Sequence, residues 1–222
     1  MLIFINNILE LFNNPIIILY FITSFIIGSI PFGLILSNIS GYGDIRKIGS
    51  GNIGATNVLR TGNKFLAIIT LIFDISKGYA PVVFTFYYFQ ELIYLSCIMT
   101  FLGHVFPIWL KFKGGKGVAT YLGILFALSL QLSLLFIFTW IVVSLVFRYS
   151  SISSMFASFT VFVINFIREL AYPLIKDISE NLTNEKLTNL SFLLFVFLIL
   201  IIFTHRKNIL NLKNKTELKI KI

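Results

Sequence analysis

Apolar runs long enough to cross a lipid bilayer recur along this chain and restrict its possible folds more than any other feature. A helix needs about 20 apolar residues to span a hydrocarbon core about 30 Å thick. We expect spans at residues 16–37, 65–89, 92–110, 152–172 and 190–203. Hydrophobic residues make up 57% and charged residues 12% of the 222 residues. This composition excludes a soluble globular protein and predicts an all-α integral membrane protein.

The apolar stretch at residues 118–147 contains no charged residue and is too long for one ordinary span. We expect two short, tilted helices here, with a turn near residues 129–133. The chain would then contain seven transmembrane helices, whereas a single span in this region would give six.

Basic residues indicate how the chain is oriented in the membrane. Fourteen of the 18 basic residues lie at 41–64, 111–117, 148–151 and 205–222. The positive-inside rule places these segments in the cytoplasm. An N-terminus outside and a C-terminus in the cytoplasm require an odd number of spans, which favours seven. The opposite side receives Glu10, Glu91, Glu169, Asp177, Glu180 and Glu185.

Features of the whole chain predict a single transmembrane domain over residues 1–222. Residues 1–15 contain no Lys or Arg, so we expect the first span to be retained and not cleaved as a signal peptide. Cys97, the lone cysteine, cannot form an intramolecular disulfide. The short basic loops do not resemble a nucleic-acid-binding module. We interpret the sequons at Asn181 and Asn189 as chance matches.

The polar loop at residues 41–64 is the first candidate site. Its six glycines allow the backbone to approach a ligand closely. Arg60 follows hydrogen-bonding side chains that suit anion contacts and helix N-caps, namely Ser50, Asn52, Thr56 and Asn57. A flexible linker is the alternative, but a linker has no need of this arrangement of Arg60 and polar residues.

A second candidate site is formed by Gly114, Gly115, Lys116 and Gly117, ahead of a helix predicted to begin at about Val118. Unencumbered amides at a helix N-terminus, with an ammonium group beside them, favour a bound phosphate. The segment is not a nucleotide P-loop, because its spacing departs from that motif. We interpret the other lysines of this loop as membrane anchors.

Asp74, Lys77 and His104 lie within predicted spans next to the candidate loops. Asp74 and Lys77 share one helix face, and charged groups at membrane depth often mark function. An ion pair that orders the helices beneath the site is an equally good interpretation. His104 lies just inside a span, where it can contact substrate or brace the adjoining loop.

The C-terminal region supplies the last candidates. His205 and Asn208 lie one helical turn apart at the end of the final span. The basic tail after them is typical of an anchor on anionic lipid, whereas the His and Asn pair suggests a further role. Ser151 lies in a hydroxyl-rich turn, where hydroxyls commonly cap helices. Glu217 is the only acidic residue of the tail and can cap or pair with its lysines.

Taken in this order, the segments resemble the PlsY family of bacterial acyl-phosphate:glycerol-3-phosphate acyltransferases. The matching stretches span almost the whole chain. They are Gly28-Ser-Ile-Pro-Phe-Gly33, Gly49-Ser-Gly-Asn-Ile-Gly-Ala-Thr-Asn-Val-Leu-Arg60, Asp74-Ile-Ser-Lys-Gly78, Gly103-His-Val-Phe-Pro107, Gly114-Gly-Lys-Gly-Val-Ala-Thr120, Arg148-Tyr-Ser-Ser151 and His205-Arg-Lys-Asn-Ile209, with Glu217 downstream.

The resemblance implies a seven-helix enzyme of the bacterial cytoplasmic (inner) membrane with its active site on the cytoplasmic side. The enzyme would move a fatty acyl group from acyl phosphate to glycerol 3-phosphate, giving 1-acylglycerol 3-phosphate (lysophosphatidic acid) and phosphate. This reaction is the first acylation of phospholipid synthesis. We expect a monomer that works among membrane lipids without a metal, a cofactor or nucleic acid. Neither coenzyme A nor acyl carrier protein would be the direct donor.

The resemblance also implies roles for the candidate residues. Ser50 and Arg60 match positions required for activity, the glycine segment with Lys116 matches a loop that binds glycerol 3-phosphate, and Glu217 matches a structural position. We therefore assign catalysis to Ser50, Arg60, Lys116, His205 and Asn208. We assign substrate binding to Asn52, Thr56, Asn57, Gly114, Gly115, Gly117 and Ser151, and supporting roles to Asp74, Lys77, His104 and Glu217.

Together these segments are expected to form one cationic pocket at the inner leaflet. Arg60, Lys116 and backbone amides would offset the repulsion between two phosphates and stabilise charge at the reacting carbonyl. The proton acceptor is either His205, whose imidazole titrates near neutral pH, or the phosphate of the donor. A covalent acyl-Ser50 intermediate is disfavoured, because no Asp or Glu lies near a His in the motifs to complete a triad.

A membrane transporter for anions or phosphate esters is the alternative function, with Asp74 and Lys77 lining a pathway. Transport predicts polar residues along the depth of several helices. The hydrogen-bond donors of this chain lie instead at one membrane face. This distribution favours chemistry at the surface, with the acyl chain among Phe-rich helices.

Overall fold

The computed structural model describes residues 14–176 and 190–220. Residues 1–13, the sequon asparagines Asn181 and Asn189, and Glu10, Asp177, Glu180 and Glu185 lie outside the described residues. Packing divides the chain into two compact units, one ending at Ala127 and the other beginning at Leu128. That both units belong to a single domain stays a prediction.

The secondary structure of the described residues consists of helices joined by loops, as the composition predicts, because backbone polar groups in lipid have to be paired within the chain. The helices are α1 (Pro15–Ser29), α2 (Phe32–Ile39), α3 (Ala55–Val58), α4 (Lys64–Tyr88), α5 (Ile93–Val105), α6 (Val118–Leu128), α7 (Leu130–Phe147), α8 (Ser150–Lys176), α9 (Leu190–Thr204) and α10 (Arg206–Lys213). Short 3₁₀ turns lie at Ile45–Lys47, Leu59–Thr61, Gln90–Leu92 and Ile108–Leu110.

Several of these helices can cross a membrane. Within the described ranges, four segments are long and apolar enough, namely Lys64–Tyr88, Gln90–Leu110, Leu130–Phe147 and Ser150–Ala171. The pairs α1 with α2 and α9 with α10 are bent by 43° and 55°, and they raise the number to six if each pair is one span. Helix α6 has 11 residues and is only about 17 Å long, so the seventh span stays a prediction.

The predicted break inside the long apolar stretch is confirmed. Helix α6 ends at Leu128, and Ser129 adopts an extended conformation before α7 begins. The Ser129 hydroxyl accepts a hydrogen bond from the amide of Leu132 at 3.4 Å, as an N-cap residue does. Asn63 caps α4 in the same way, accepting from the amide of Leu66 at 2.9 Å.

Glycines bring helices of the first unit into close contact. A Cβ atom on Gly28 would collide with the carbonyl of Thr100, which joins α1 to α5. A Cβ atom on Gly78 would collide with the carbonyl of Thr120, which joins α4 to α6. Small residues let helix backbones approach in this way inside a membrane. Cys97 of α5 is completely buried among these helices.

The second unit packs α8 between α7 and α9. The indole of Trp140 on α7 donates to the hydroxyl of Ser154 on α8 at 3.1 Å. The amide of Asn165 on α8 donates to the hydroxyl of Ser191 on α9 at 2.8 Å. Such bonds between helices contribute about 1 kcal/mol each in a membrane. They fix the lateral order of the three helices.

Candidate active site

The amide oxygen of Asn57 gathers the polar residues of the first loop. Asn57 lies on α3 and is buried. Its Oδ1 accepts hydrogen bonds from the backbone amide of Ser50 at 2.8 Å and the Ser50 hydroxyl at 3.1 Å. Nη1 of Arg60 donates to the same oxygen at 3.2 Å. Ser50 and Arg60, both predicted to be catalytic, are therefore held side by side.

The amide nitrogen of Asn57 holds the backbone of the same loop. Its Nδ2 donates to the carbonyl oxygens of Ile45 at 3.0 Å, Ile48 at 3.0 Å and Asn52 at 2.8 Å. Both N–H bonds of the side chain are thereby occupied. This geometry favours a positioning role for Asn57 over the substrate contact expected from the sequence. Asn52 and Thr56 remain partly exposed.

Gly49 is required where it stands, because Arg60 and Asn57 pack against its backbone. A Cβ atom on Gly49 would lie 2.5 Å from Oδ1 of Asn57 and 2.6 Å from Cδ of Arg60. Its φ of 58° also lies in the left-handed region, which a side chain disfavours. The sequence analysis predicted that glycines let a ligand approach this loop closely. At Gly49 the group that approaches the backbone is the side chain of Arg60, and the approach of a ligand stays a prediction.

An apolar cluster beneath the loop holds it on the first unit. Its buried members are Leu34, Ile45, Ile53, Val58, Leu66 and Ala67, with Leu36, Ile48 and Leu110 packed against them. A Cβ atom on Gly33 would collide with the carbonyl of Ile53, so α2 also presses directly on the loop. Because Leu110 belongs to the lysine-bearing loop that follows α5, the two candidate loops share one core.

The second loop is tied back to the end of α5. The amide of Gly114 donates to the carbonyl of Val105 and the amide of Gly115 to the carbonyl of His104, each at 3.1 Å. The expectation that these two amides are unencumbered is therefore wrong, because they satisfy carbonyls left without partners at the helix end. Lys116 is partly buried.

Gly117 completes the turn into α6. Its φ of 78° is left-handed, and a Cβ atom there would collide with the ring of Phe101. The carbonyl of Gly117 accepts from the amide of Tyr121 at 2.7 Å, which continues the first turn of the helix. A helix therefore begins at Val118, at the residue predicted from the sequence.

Asp74, Lys77 and His104 form a buried cluster below this loop. Asp74 Oδ1 lies 2.7 Å from Lys77 Nζ, and both side chains are 2% exposed. His104 Nδ1 lies 3.9 Å from the same carboxylate oxygen. Lys77 also donates to the carbonyl of Ile30 at 2.7 Å. These contacts agree with the interpretation of an ion pair that orders the helices.

Glu217 gathers the polar residues of the second unit. Its Oε1 accepts from the hydroxyl of Ser151 at 3.1 Å and from Nδ2 of Asn208 at 2.6 Å. Its Oε2 accepts from Nδ2 of Asn211 at 3.4 Å. The contacts agree with the structural role implied for Glu217, and Asn211 is a member of the cluster that the sequence analysis missed.

His205 lies at the start of α10, one turn before Asn208, and is buried. Its Nδ1 lies 2.8 Å from the carbonyl oxygen of Ile201. A carbonyl oxygen can only accept, so Nδ1 carries the proton in the neutral ring and Nε2 is the acceptor nitrogen. A proton acceptor at Nε2 is the property that general-base catalysis by His205 requires.

The tail returns to the turn before α8. The amide of Ile220 donates to the carbonyl of Arg148 at 2.7 Å, and Lys219 Nζ lies 5.8 Å from the centre of the Tyr149 ring. This return brings Glu217 to Ser151. The sequence predicted a basic lipid anchor and a capping or pairing role for Glu217, but it did not predict this return of the tail. The hydrogen bond from Ile220 to Arg148 joins backbone groups, which composition does not reveal.

An ion pair between Arg46 and Asp44 reduces the net positive charge of the first loop. Arg46 donates to the carboxylate of Asp44 through Nη2 at 2.7 Å. The hydrogen bonds from the Arg46 side chain and backbone lower the pKa of Asp44 from 3.8 to about 2. Because the two charges offset each other, this part of the loop adds little positive potential.

The structure therefore assembles three groups of predicted residues. Ser50, Asn52, Asn57 and Arg60 form the first, and Gly114, Gly115, Lys116 and Gly117 with His104 form the second. Ser151, Asn208 and Glu217, with His205 one turn away, form the third. The meeting of all three groups in one pocket stays a prediction.

Comparisons with known proteins identify relatives over most of the chain. The model of the family described as glycerol-3-phosphate acyltransferase matches residues 18–215. The glycerol-3-phosphate acyltransferase of Pelagibacter ubique is 47% identical over 201 residues, which cover 90% of this chain and 96% of the relative. That of Brucella anthropi is 46% identical over 196 residues, which cover 88% and 89%.

Solved structures are similar as well. A crystal structure of PlsY (YgiH), an integral membrane glycerol 3-phosphate acyltransferase, in its glycerol 3-phosphate form has a TM-score of 0.79 and 32% identity, covering 92% of this chain and 95% of that chain. Its lysophosphatidic acid form has a TM-score of 0.76, covering 91% and 94%. None of these findings supports the transporter alternative. The chain belongs to the glycerol-3-phosphate acyltransferase family, the PlsY family of multi-pass membrane enzymes that its motifs resemble.

Proposed function

We propose that this protein transfers a fatty acyl group from acyl phosphate to glycerol 3-phosphate, producing lysophosphatidic acid and phosphate. The observation that carries the proposal is the cluster in which Asn57 holds the Ser50 hydroxyl and the Arg60 guanidinium on one oxygen. A cation and a hydroxyl held in advance can bind a phosphate without a metal. The glycerol 3-phosphate acyltransferase activity named for the relatives supports glycerol 3-phosphate as acceptor, and the motif resemblance supports acyl phosphate as donor.

In the proposed reaction a hydroxyl of glycerol 3-phosphate attacks the carbonyl carbon of acyl phosphate. The new ester bond forms, the bond from that carbon to the bridging phosphate oxygen breaks, and the electron pair leaves with phosphate. The hydroxyl proton passes to the released phosphate or to His205. Phosphate is a good leaving group, so much of the rate enhancement can come from orienting the two reactants, an effect of about 7–11 kcal/mol at most.

Arg60 and Lys116 are assigned to charge stabilisation. Two phosphorylated substrates repel each other, and fixed cations reduce that repulsion in a site shielded from water. Each such contact contributes about 3 kcal/mol to transition-state binding. Lys116 holds the phosphate of glycerol 3-phosphate through its ammonium group, because the amides of Gly114 and Gly115 are occupied by the end of α5.

His205 is the candidate general base of the protein itself. The bond between its Nδ1 and the carbonyl of Ile201 leaves Nε2 as the acceptor nitrogen. A pH–rate profile distinguishes this base from the donor phosphate. If His205 is the base, His205→Asn removes the decline of kcat/KM at acid pH, and if the phosphate is the base the decline persists.

The remaining parts of the proposal concern placement in the cell. We propose seven transmembrane helices in one domain, with the N-terminus outside and the C-terminus in the cytoplasm. The three groups of polar residues then form one site on the cytoplasmic side of the bacterial inner membrane. We propose that the enzyme acts as a monomer, embedded in membrane lipid, with no metal, cofactor or nucleic acid partner.

The decisive experiment supplies purified protein in lipid with acyl phosphate and glycerol 3-phosphate, without added metal. We expect release of phosphate and formation of lysophosphatidic acid. Lys116→Ala should abolish turnover in folded protein, whereas the exposed neighbour variant Lys113→Ala should remain active. Absence of turnover, together with uptake of phosphate esters into proteoliposomes, would replace the proposal with the transporter function.

A further inference from the structure

We infer that His104 is a positioning residue for the glycine segment at residues 114–117, and that the ion pair of Asp74 and Lys77 holds His104 in place. The inference deepens the proposed function and rests on it, because that function assigns glycerol 3-phosphate binding to this segment. His104 acts through Lys116 and itself touches neither substrate.

Backbone hydrogen bonds bind the glycine segment to the end of α5, where His104 lies. The carbonyls of His104 and Val105 accept from the amides of Gly115 and Gly114, each at 3.1 Å. Lys116 follows Gly115 directly in the chain. A displacement of His104 would therefore shift Gly114 and Gly115, and with them the position of Lys116.

The imidazole ring adds a side-chain contact to this backbone tie. A Cβ atom on Gly115 would collide with Nε2 of His104, and its distances to Cε1 and Cδ2 would be 2.9 Å and 3.0 Å. The ring therefore lies against the face of Gly115 that glycine leaves open. A longer or shorter side chain at residue 104 would change the surface against which the glycine segment packs.

The ion pair lies beside the other edge of the ring. His104 Nδ1 faces Asp74 Oδ1 at 3.9 Å, and among the described residues it has no hydrogen-bond partner. Asp74 is held by Lys77 at 2.7 Å, and Lys77 in turn donates to the carbonyl of Ile30 at 2.7 Å. A continuous line of contacts thus runs from the junction of α1 and α2 to the glycine segment.

The test separates positioning from general stabilisation by measuring two Michaelis constants. A variant that merely folds less well lowers the amount of active enzyme and leaves both KM values unchanged. We expect His104→Ala to raise KM for glycerol 3-phosphate at least tenfold and to change KM for acyl phosphate less than twofold. Cys97→Ala, which also removes a buried side chain of α5, should leave both values unchanged.

Two replacements of the ring test which edge positions the segment. A glutamine side chain reaches the position of Nε2, against Gly115, whereas an asparagine side chain reaches only the position of Nδ1. We expect His104→Gln to recover most of the KM for glycerol 3-phosphate and His104→Asn to recover little. Equal recovery by both variants would overturn the assigned contact with Gly115.

A pair of glycine variants approaches the same contact from the other side. Gly115→Ala forces the segment off the His104 ring and should raise KM for glycerol 3-phosphate as His104→Ala does. Gly62→Ala introduces backbone strain at a positive φ of 88° in the other candidate loop, away from the segment and its supporting contacts, and should lower the folded yield with both KM values unchanged. If His104→Ala does not fold, this pair decides the question.

The outcomes also separate the inference from the function on which it rests. If the wild-type protein does not convert the two substrates, the proposed function fails. If the wild-type protein is active and His104→Ala and Gly115→Ala leave KM for glycerol 3-phosphate unchanged, the function stands and the inference is wrong.

Discussion

The loop cluster around Asn57 and the tail cluster around Glu217 perform the same task with different chemistry. Each has one side chain that collects predicted site residues, Ser50 and Arg60 in the first and Ser151 and Asn208 in the second. Asn57 is a neutral amide that donates and accepts, whereas ionised Glu217 can only accept. The difference determines what each cluster is able to hold.

An amide side chain can hold the backbone of its own loop, because it both donates and accepts hydrogen bonds. Asn57 donates to three carbonyls of its own loop while its oxygen accepts from Ser50 and Arg60, so one residue fixes both the backbone and the side chains. Glu217 collects one donor from α8 and two from α10. The loop cluster should therefore tolerate substitution less well than the tail cluster.

Among the variants that test this comparison, Arg60→Ala is expected to have the largest effect. Removing a fixed cation from the loop cluster should lower kcat/KM by about 10²–10³, as measured by phosphate release, with the melting temperature nearly unchanged. Arg46→Ala is the matched control, because Arg46 lies in the same loop and is paired with Asp44. Equal losses in both variants would show that only the total charge of the loop matters.

The comparison itself is tested by reciprocal changes in the two central residues. Asn57→Asp places a carboxylate against three carbonyl oxygens and should lower activity about 100-fold and stability by about 2–4 kcal/mol. Glu217→Gln keeps an oxygen that can accept from Ser151 and Asn208 and should lower activity about tenfold or less. Kinetics and denaturation of both variants in detergent measure this order, and the reverse order would refute the comparison.

A smaller effect is expected from a methyl group added to the loop backbone. Gly49 and Gly62 both have positive φ, 58° and 88°, so an alanine at either position costs about 1 kcal/mol in backbone strain. Gly49 lies against Asn57 and Arg60, whereas no atom of the described residues lies within 4 Å of a Cβ atom on Gly62. Gly49→Ala should lower kcat/KM about tenfold and Gly62→Ala less than twofold. Similar losses would mean that strain alone accounts for both.

The smallest effect concerns Asp44. Its pKa is lowered to about 2 in the folded protein by Arg46, so the stabilisation is present above the unfolded pKa of 3.8 and is lost as the pH falls towards 2. Asp44→Asn should lower the melting temperature slightly at pH 7 and in low salt, and the difference should vanish between pH 4 and pH 2. The pair is exposed, so salt should weaken the effect.

Residue patterns predicted where the helices lie and which residues belong to the clusters. They predicted less well how the residues of each cluster contact one another. The apolar runs, the break at Ser129 and the helix start at Val118 follow from composition, length and capping chemistry, which act locally. Ser50 and Arg60 were found because a cation beside hydroxyl and glycine residues is unusual between membrane helices. Their joint attachment to Asn57 depends on the folded path of the loop.

Contacts between distant backbone groups could not be predicted. The amides of Gly114 and Gly115 were expected to await a phosphate, but the end of α5 supplies carbonyls that satisfy them first. The bond from Ile220 to Arg148, which returns the tail to α8, likewise involves groups that every residue possesses. The sequence could identify Asn208 and Glu217, but their pairing required this return.

Because Cys97 in α5 is completely buried, the natural protein should not react with a thiol-labelling reagent. Cysteines introduced one at a time at exposed sites, such as Ser40→Cys and Glu91→Cys, would then be the only thiols that a membrane-impermeant maleimide can reach. In intact cells, the reagent should modify the second variant and spare the first if the positive-inside orientation is correct. The membrane topology can therefore be mapped by cysteine labelling without first replacing Cys97.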